Sequence, residues 1–151
     1  MRSIIVILLL LFVALGCKLS QGSDRSTSIS IDPNSPKQLV TRSQPLTPST
    51  FSVSARNQFA KQFNVEGSAR VHGSFHAAGG SGNDIQVYIV DDENYRLSEQ
   101  GQAFHGYYIS GKVSSGSIDV RLTSGSYNIV FNNKFSFFTN KAIEAEINLE
   151  Q

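Results

Sequence analysis

The stretch IEAEINLE, residues 143–150, indicates the fold class because apolar and polar side chains alternate strictly along it. The apolar set is Ile143, Ala145, Ile147 and Leu149, and the polar set is Glu144, Glu146, Asn148 and Glu150. Successive side chains of a β-strand point to opposite faces. The pattern is therefore typical of a strand with one face in a core and the other in solvent.

The same alternation recurs towards the N-terminus, and clusters of Gly, Ser and Asn separate the runs. It predicts strands near residues 51–55, 58–65, 70–77, 85–90, 104–112, 118–122 and 127–131. Residues 79–84 (GGSGND) and 124–126 (SGS) are predicted turns, and residues 91–100 (DDENYRLSEQ) are the one predicted helical turn. We therefore predict an all-β fold, an antiparallel β-sandwich of about seven or eight strands.

The sequence divides into three segments of unlike composition. Residues 1–17 (MRSIIVILLLLFVALGC) contain an apolar run of 12 residues, which is too short for a membrane-spanning helix of about 20 and is typical of an export signal. Residues 18–50 hold all four prolines and are rich in Ser and Thr, which predicts a disordered, flexible tether. Residues 51–151 hold 14 of the 15 aromatic residues and are the predicted folded domain.

The single cysteine, Cys17, directly follows the apolar run in the stretch Ala14-Leu15-Gly16-Cys17. This stretch resembles the lipobox of bacterial lipoproteins, in which a Cys after a small residue is lipidated, although Ala14 and Leu15 depart from the preferred motif. We predict lipidation of Cys17 and a membrane-anchored location in the cell envelope. Cleavage after Gly16, which gives a soluble secreted or periplasmic protein, and an uncleaved anchor stay open as alternatives.

Residues 125–136 (GSYNIVFNNKFS) are similar to the C-terminal motif of the GOLD domain. In that family a Gly-x-Tyr strand runs into a Phe-x-Asn-x-Phe-Ser corner, and a final alternating strand follows. The resemblance extends over roughly residues 58–150. It implies a β-sandwich that makes protein or lipid contacts, with Phe135 closing one end of the sandwich. The paired cysteines of the family's cargo receptors are absent here, so the likeness is closer to bacterial exported proteins of unknown function.

Composition and motifs argue against several classes of protein. The 13 basic and 12 acidic residues leave no basic excess for nucleic acid, and one cysteine excludes an intramolecular disulfide and a Cys-based zinc site. There is no G-x-S-x-G nucleophile motif, and the glycines of residues 79–82 lack the Lys of a phosphate loop. We predict no enzymatic activity and no cofactor.

Two clusters raise the question of a metal. His72 and His76 lie four residues apart on a predicted strand, about 13 Å, which is too far for both to bind one ion. Residues 91–93 (DDE), together with Asp84 or Asp119, are an alternative set of calcium ligands, but their spacing matches no EF-hand loop. We predict no metal site.

Aromatic side chains are the stronger functional indication, because exposed aromatics beside polar groups favour recognition. The predicted contact residues are Tyr88, Tyr107, Tyr108, Phe137 and Phe138, with core packing as the alternative for the two phenylalanines. We predict an exported, lipid-anchored, non-catalytic module that contacts an envelope protein or a surface polymer. A carbohydrate-binding or adhesive module using the three tyrosines, and a small envelope hydrolase using His72, His76 and His105, are the alternatives.

Overall fold

The structure, a computed structural model, describes residues 41–80 and 82–151. The predicted export signal, Cys17 and the predicted tether up to residue 40 lie outside the described residues. The described residues form seven strands and one helix: β1 (Ser43–Pro45), β2 (Thr50–Val53), β3 (Gln58–Ala78), β4 (Ile85–Asp91), α1 (Asp92–Glu99), β5 (Tyr108–Val113), β6 (Ser115–Asn132) and β7 (Lys141–Glu150). Within this part of the chain, the one helix is neither long nor apolar enough to cross a membrane.

All strand pairs are antiparallel, and the hydrogen-bonded order is β1-β7-β3-β6-β4-β5, with β2 also paired to β7. The predicted all-β sandwich is confirmed. The alternation of β7 is also confirmed, since its apolar set is buried and its glutamates are exposed or half-exposed.

The two long strands β3 and β6 pair along nearly their whole length and link the two halves of the fold. Their register shifts between Val65 and Ser68, where β3 carries an extra residue. In β6 the side chains that join the main core are Ile118 and Leu122 before this point and Tyr127, Ile129 and Phe131 after it. The interval of five residues between Leu122 and Tyr127 means that the ribbon changes its buried face there. Both halves nevertheless contribute to one apolar core.

Three boundaries differ from the prediction, and the first is the start of β5, at Tyr108 instead of near residue 104. Residues 124–126 are not a turn but lie inside β6, opposite the bulge of β3. The strands predicted near 58–65 and 70–77 are therefore one strand, β3, and those predicted near 118–122 and 127–131 are one strand, β6. The folded domain also begins earlier than residue 51. β1 pairs with the end of β7, and Leu46 is buried and donates its N–H to the carbonyl of Ile147 at 2.8 Å.

The outer face of β4 is covered, which the alternation did not predict. Helix α1 begins after Asp91, whose carboxylate accepts the backbone N–H of Asn94 at 2.8 Å. The helix and the loop after it place Tyr95 and Phe104 on Tyr88, Val90 and Val130, which form a second apolar cluster. β4 is therefore buried on both faces.

Candidate contact surface

Three loops meet at one end of the sheet: residues 54–57, the described residues 79–80 and 82–84, and residues 133–140, which we call the aromatic loop. The Arg56 N–H donates to the carbonyl of Ser136 at 2.9 Å, and the Asn133 N–H donates to the carbonyl of Asn57 at 2.9 Å. The Ala55 N–H donates to Oδ1 of Asn140 at 2.9 Å. These bonds fix the aromatic loop against its neighbour at both of its ends.

Asn133 holds the base of the aromatic loop. Its side chain is fully buried, and Nδ2 donates to the carbonyls of Val53, Ser54 and Thr139 at 3.1, 3.2 and 3.0 Å. The carbonyls belong to the last residue of β2, to the first residue of the 54–57 loop and to the far end of the aromatic loop itself. One buried amide therefore closes the loop and ties it to the sheet.

The aromatic loop presents two adjacent phenylalanines to solvent. Phe137 is 65% exposed and Phe138 is 93% exposed, and their ring centroids lie 6.3 Å apart. Phe135 is half-buried and lies outside the apolar core, so it is not the end plug that the GOLD resemblance implies. Contiguous exposed apolar surface of this kind commonly marks an interaction site.

Cations flank these rings. The guanidinium of Arg56 lies 4.8 Å from the centroid of Phe137, and Nζ of Lys112 lies 4.3 Å from the centroid of Phe135. Among the described residues neither cation is in an ion pair. Lys134, on the loop itself, pairs with Glu99 at 2.9 Å.

Lys141 lies beneath the aromatic loop and is almost fully buried. Its Nζ donates to the carbonyl of Gly79 at 2.8 Å and to Oδ1 of Asp84 at 3.0 Å. The hydrogen bond from Lys141 lowers the pKa of Asp84 below its ordinary value, although partial burial of the carboxyl opposes the shift. These contacts connect Gly79 and Asp84 to the start of β7, beside an open cleft of about 290 Å³ that the aromatic loop also lines.

The other predicted contact residues do not join this surface. Tyr88 lies on the outer face of β4 but is only 1% exposed, so its prediction as a contact residue is wrong: its ring centroid lies 5.0 Å from that of Phe104, which covers it. Burial also raises its pKa above the ordinary value. Tyr108 is half-buried and packs against the main core. Tyr107 is 50% exposed but lies beside Tyr127 at the other end of β4.

The three histidines lie apart from one another, and Nε2 of His72 lies 3.0 Å from Oε1 of Glu150. His72 pairs in register with Asn148, His76 pairs with Glu144 four residues away along β7, and His105 lies in the loop after α1, where its N–H donates to Asn94. The candidate calcium ligands serve separate structures: Asp91 caps α1, Asp84 pairs with Lys141, Asp92 accepts from Gln62 and Asn128, and Asp119 pairs with Arg70. Within the described residues no group of three or more His, Cys, Asp or Glu side chains is placed to hold a metal.

The sequence pattern missed the residues that support the aromatic loop. Asn133 was visible only as part of an Asn-Asn pair at a strand end, and Lys141 only as a charge at the start of the last strand. An Asn directly after a strand, followed by several aromatics, is the one signal that could have indicated a pinned loop. No protein-family model and no curated protein matches the chain.

Proposed function

We propose that this protein is a non-catalytic binding module that contacts its target through the aromatic loop. The observation that carries the proposal is the pair Phe137 and Phe138, 65% and 93% exposed on a loop whose base is fixed by a buried Asn. Exposure of two neighbouring phenylalanines is costly in water, and burial against a target recovers that free energy. A fixed loop binds without the entropic cost of being ordered first.

The proposal includes export and lipid anchoring at Cys17, and the likeness of residues 125–136 to the GOLD motif agrees with a role in protein or lipid contacts. The mass of the N-terminus of the protein purified from its own cells tests the anchor. A diacylglyceryl group on Cys17 is the expected result. An N-terminus at Cys17 without lipid, or one at residue 1, would contradict the anchor while leaving the binding role untouched.

Site-specific photo-crosslinking tests the binding role. A photoreactive phenylalanine analogue replaces Phe138 in the full chain, and the same analogue replaces Tyr107 as the matched control, since that side chain is 50% exposed at the other end of β4. The proposal expects a reproducible adduct to protein, polymer or lipid from position 138 and none from position 107. Adducts from neither position, or equal adducts from both, would count against it.

A further inference from the structure

We propose that the target of the aromatic loop is the surface of an anionic lipid bilayer, into which Phe137 and Phe138 insert. This inference rests on the proposed function and names the surface that the loop contacts. Three observations favour a bilayer over a folded protein partner: the shape of the loop, the charge around it and the backbone of Arg56.

The shape of the loop suits a bilayer. Phe138 is 93% exposed, which requires a ring that projects from the surface with almost no contact to its own domain. A protein partner would have to supply a pocket matched to this ring, whereas the interfacial region of a bilayer accepts a protruding apolar group of any shape. Aromatic and other large apolar side chains at interfaces lie about 5–10 Å deep at the headgroup boundary.

The charge around the loop is complementary to anionic lipids. Among the described residues, the charged side chains that these ion pairs and cation–π contacts connect to the aromatic loop are Arg56, Lys112, Lys134, Lys141, Asp84 and Glu99, a net charge of +2. Both carboxylates are occupied by Lys134 and Lys141, which leaves Arg56 and Lys112 for headgroup phosphates. Residues 51–151 together carry −2, so the loop end is opposite in sign to the domain that bears it.

Arg56 occupies a backbone position that suits a smaller residue. Its φ is 59°, in the left-handed region that Gly and Asn adopt more readily. An arginine placed there, over the ring of Phe137, brings a headgroup-binding cation within 4.8 Å of an inserting side chain. Because Asn adopts a positive φ more readily than Arg, Arg56→Asn removes the cation without straining the backbone, and its effect reports on the charge.

The experiment uses the absence of tryptophan from the chain. Phe138→Trp introduces a single fluorophore at the tip of the aromatic loop, and Tyr107→Trp introduces one at the other end of β4 as the matched control. The purified full chain carrying each change is mixed with vesicles of phosphatidylglycerol and phosphatidylcholine, with or without bromine on the acyl chains. Because each signal is local, attachment of the vesicles through residues 1–40 does not imitate insertion of the loop.

The proposal expects the emission of the Phe138→Trp protein to shift to shorter wavelength and to be quenched by bromines near the headgroup boundary, while the emission of the Tyr107→Trp protein changes in neither respect. Adding Arg56→Asn to Phe138→Trp should lower the partition constant for the vesicles, measured from the emission, about fivefold, the contribution of one basic residue at an anionic surface. Unaltered emission of the Phe138→Trp protein with these vesicles overturns the bilayer as the target. If its emission responds to a purified envelope protein and not to vesicles, the binding role survives and the lipid assignment fails.

Discussion

Asn133 is buried where β6 ends, and three backbone carbonyls depend on its side-chain amide. No other residue type offers the same donors in the same volume with neutral charge. A buried carbonyl that loses its hydrogen-bond donor lowers the free energy of unfolding by about 1–3 kcal/mol. Water that enters the loop base would replace the lost donor, so the total loss depends on how many of the three carbonyls water reaches.

We expect Asn133→Ala to lower the free energy of unfolding by about 2–4 kcal/mol, because the carbonyls of Val53, Ser54 and Thr139 lose a common donor. Urea unfolding of the variant and the parent measures the difference. Asn132→Ala is the matched control, since that half-buried neighbour bonds to Gln86 and to the Lys134 N–H, and we expect a loss of under about 1 kcal/mol. Equal losses for the two variants would contradict the role given to Asn133.

The pair of Lys141 and Asp84 gives a second prediction, on acid stability. The folded-state pKa of Asp84 lies below its ordinary value of 3.8, so the carboxylate stabilises the fold above that pH. The stabilisation is lost as the pH falls from about 4 through the lowered pKa, because the proton that binds removes the partner of a buried ammonium.

We therefore expect Asp84→Asn to lower stability at pH 7 by about 2 kcal/mol, less than for a fully buried pair because the carboxylate is partly exposed. We also expect the variant to lose less stability than the parent between about pH 5 and pH 3. Asp119→Asn is the control: its pKa is also lowered, by Arg70, but that pair is solvated, and its removal should change the neutral-pH stability little. Identical acid profiles of parent and Asp84→Asn would refute the assignment.

At the scale of strands, period-two alternation located nearly every element because one face of most strands is solvated. It failed on β4, where IQVYIV (residues 85–90) has only one polar side chain besides the tyrosine, Gln86. A nearly continuous apolar run indicates burial on both faces, and that interpretation would have placed Tyr88 inside. Helix α1 buries the outer face of β4. Its position there depends on tertiary contacts, which the alternation of side chains along a strand does not predict.

Turn signals were also misleading at the middle of β3 and β6. Gly67 and Gly125 lie on facing strands beside the register shift, where small residues allow two long strands to bend together. The sequence stretch SGS (residues 124–126) is as compatible with such a bend as with a hairpin turn. Only the pairing partner distinguishes the two, and a single sequence does not reveal it.

Gly73 provides a test of the pairing between β3 and β7. Its φ is +144°, and a Cβ at this position would collide with the backbone carbonyl of Glu146 on the neighbouring strand. We expect Gly73→Ala to cost more than about 3 kcal/mol, because backbone must move to admit the methyl group. Gly67→Ala is the control in the same strand, also at positive φ but with open space around it, and should cost about 1 kcal/mol. Thermal unfolding of both variants measures the contrast, and similar midpoints would argue against this close approach.

At the scale of the whole molecule, β7 connects the aromatic loop to the place where the described chain begins. Lys141 at its start lies beneath the loop, and Glu150 at its end pairs with Ser43. Ten residues of strand put these points about 30 Å apart. The 23 residues between Cys17 and Thr41 span at most roughly 80 Å, so the proposed lipid on Cys17 and the proposed inserted loop would be able to contact the same membrane.

The N-terminal boundary of the fold gives the last prediction. Residues 43–53 cover the outer edge of β7 through β1, β2 and the buried Leu46, and the Ala145 N–H donates to the carbonyl of Ser49 at 2.9 Å. A chain trimmed to residues 51–151 keeps residues 51–53 of β2 but loses β1, Ser49 and Leu46, an apolar side chain whose burial is worth about 1.5–3 kcal/mol. We expect the urea midpoint of this chain to be lower than that of a chain trimmed to residues 41–151. Together with the lost strand hydrogen bonds, the expected loss in the free energy of unfolding is about 2–4 kcal/mol. Because proline-rich sequence suggested a tether up to residue 50, equal midpoints would restore that boundary, whereas the expected difference would show that Leu46 belongs to the core.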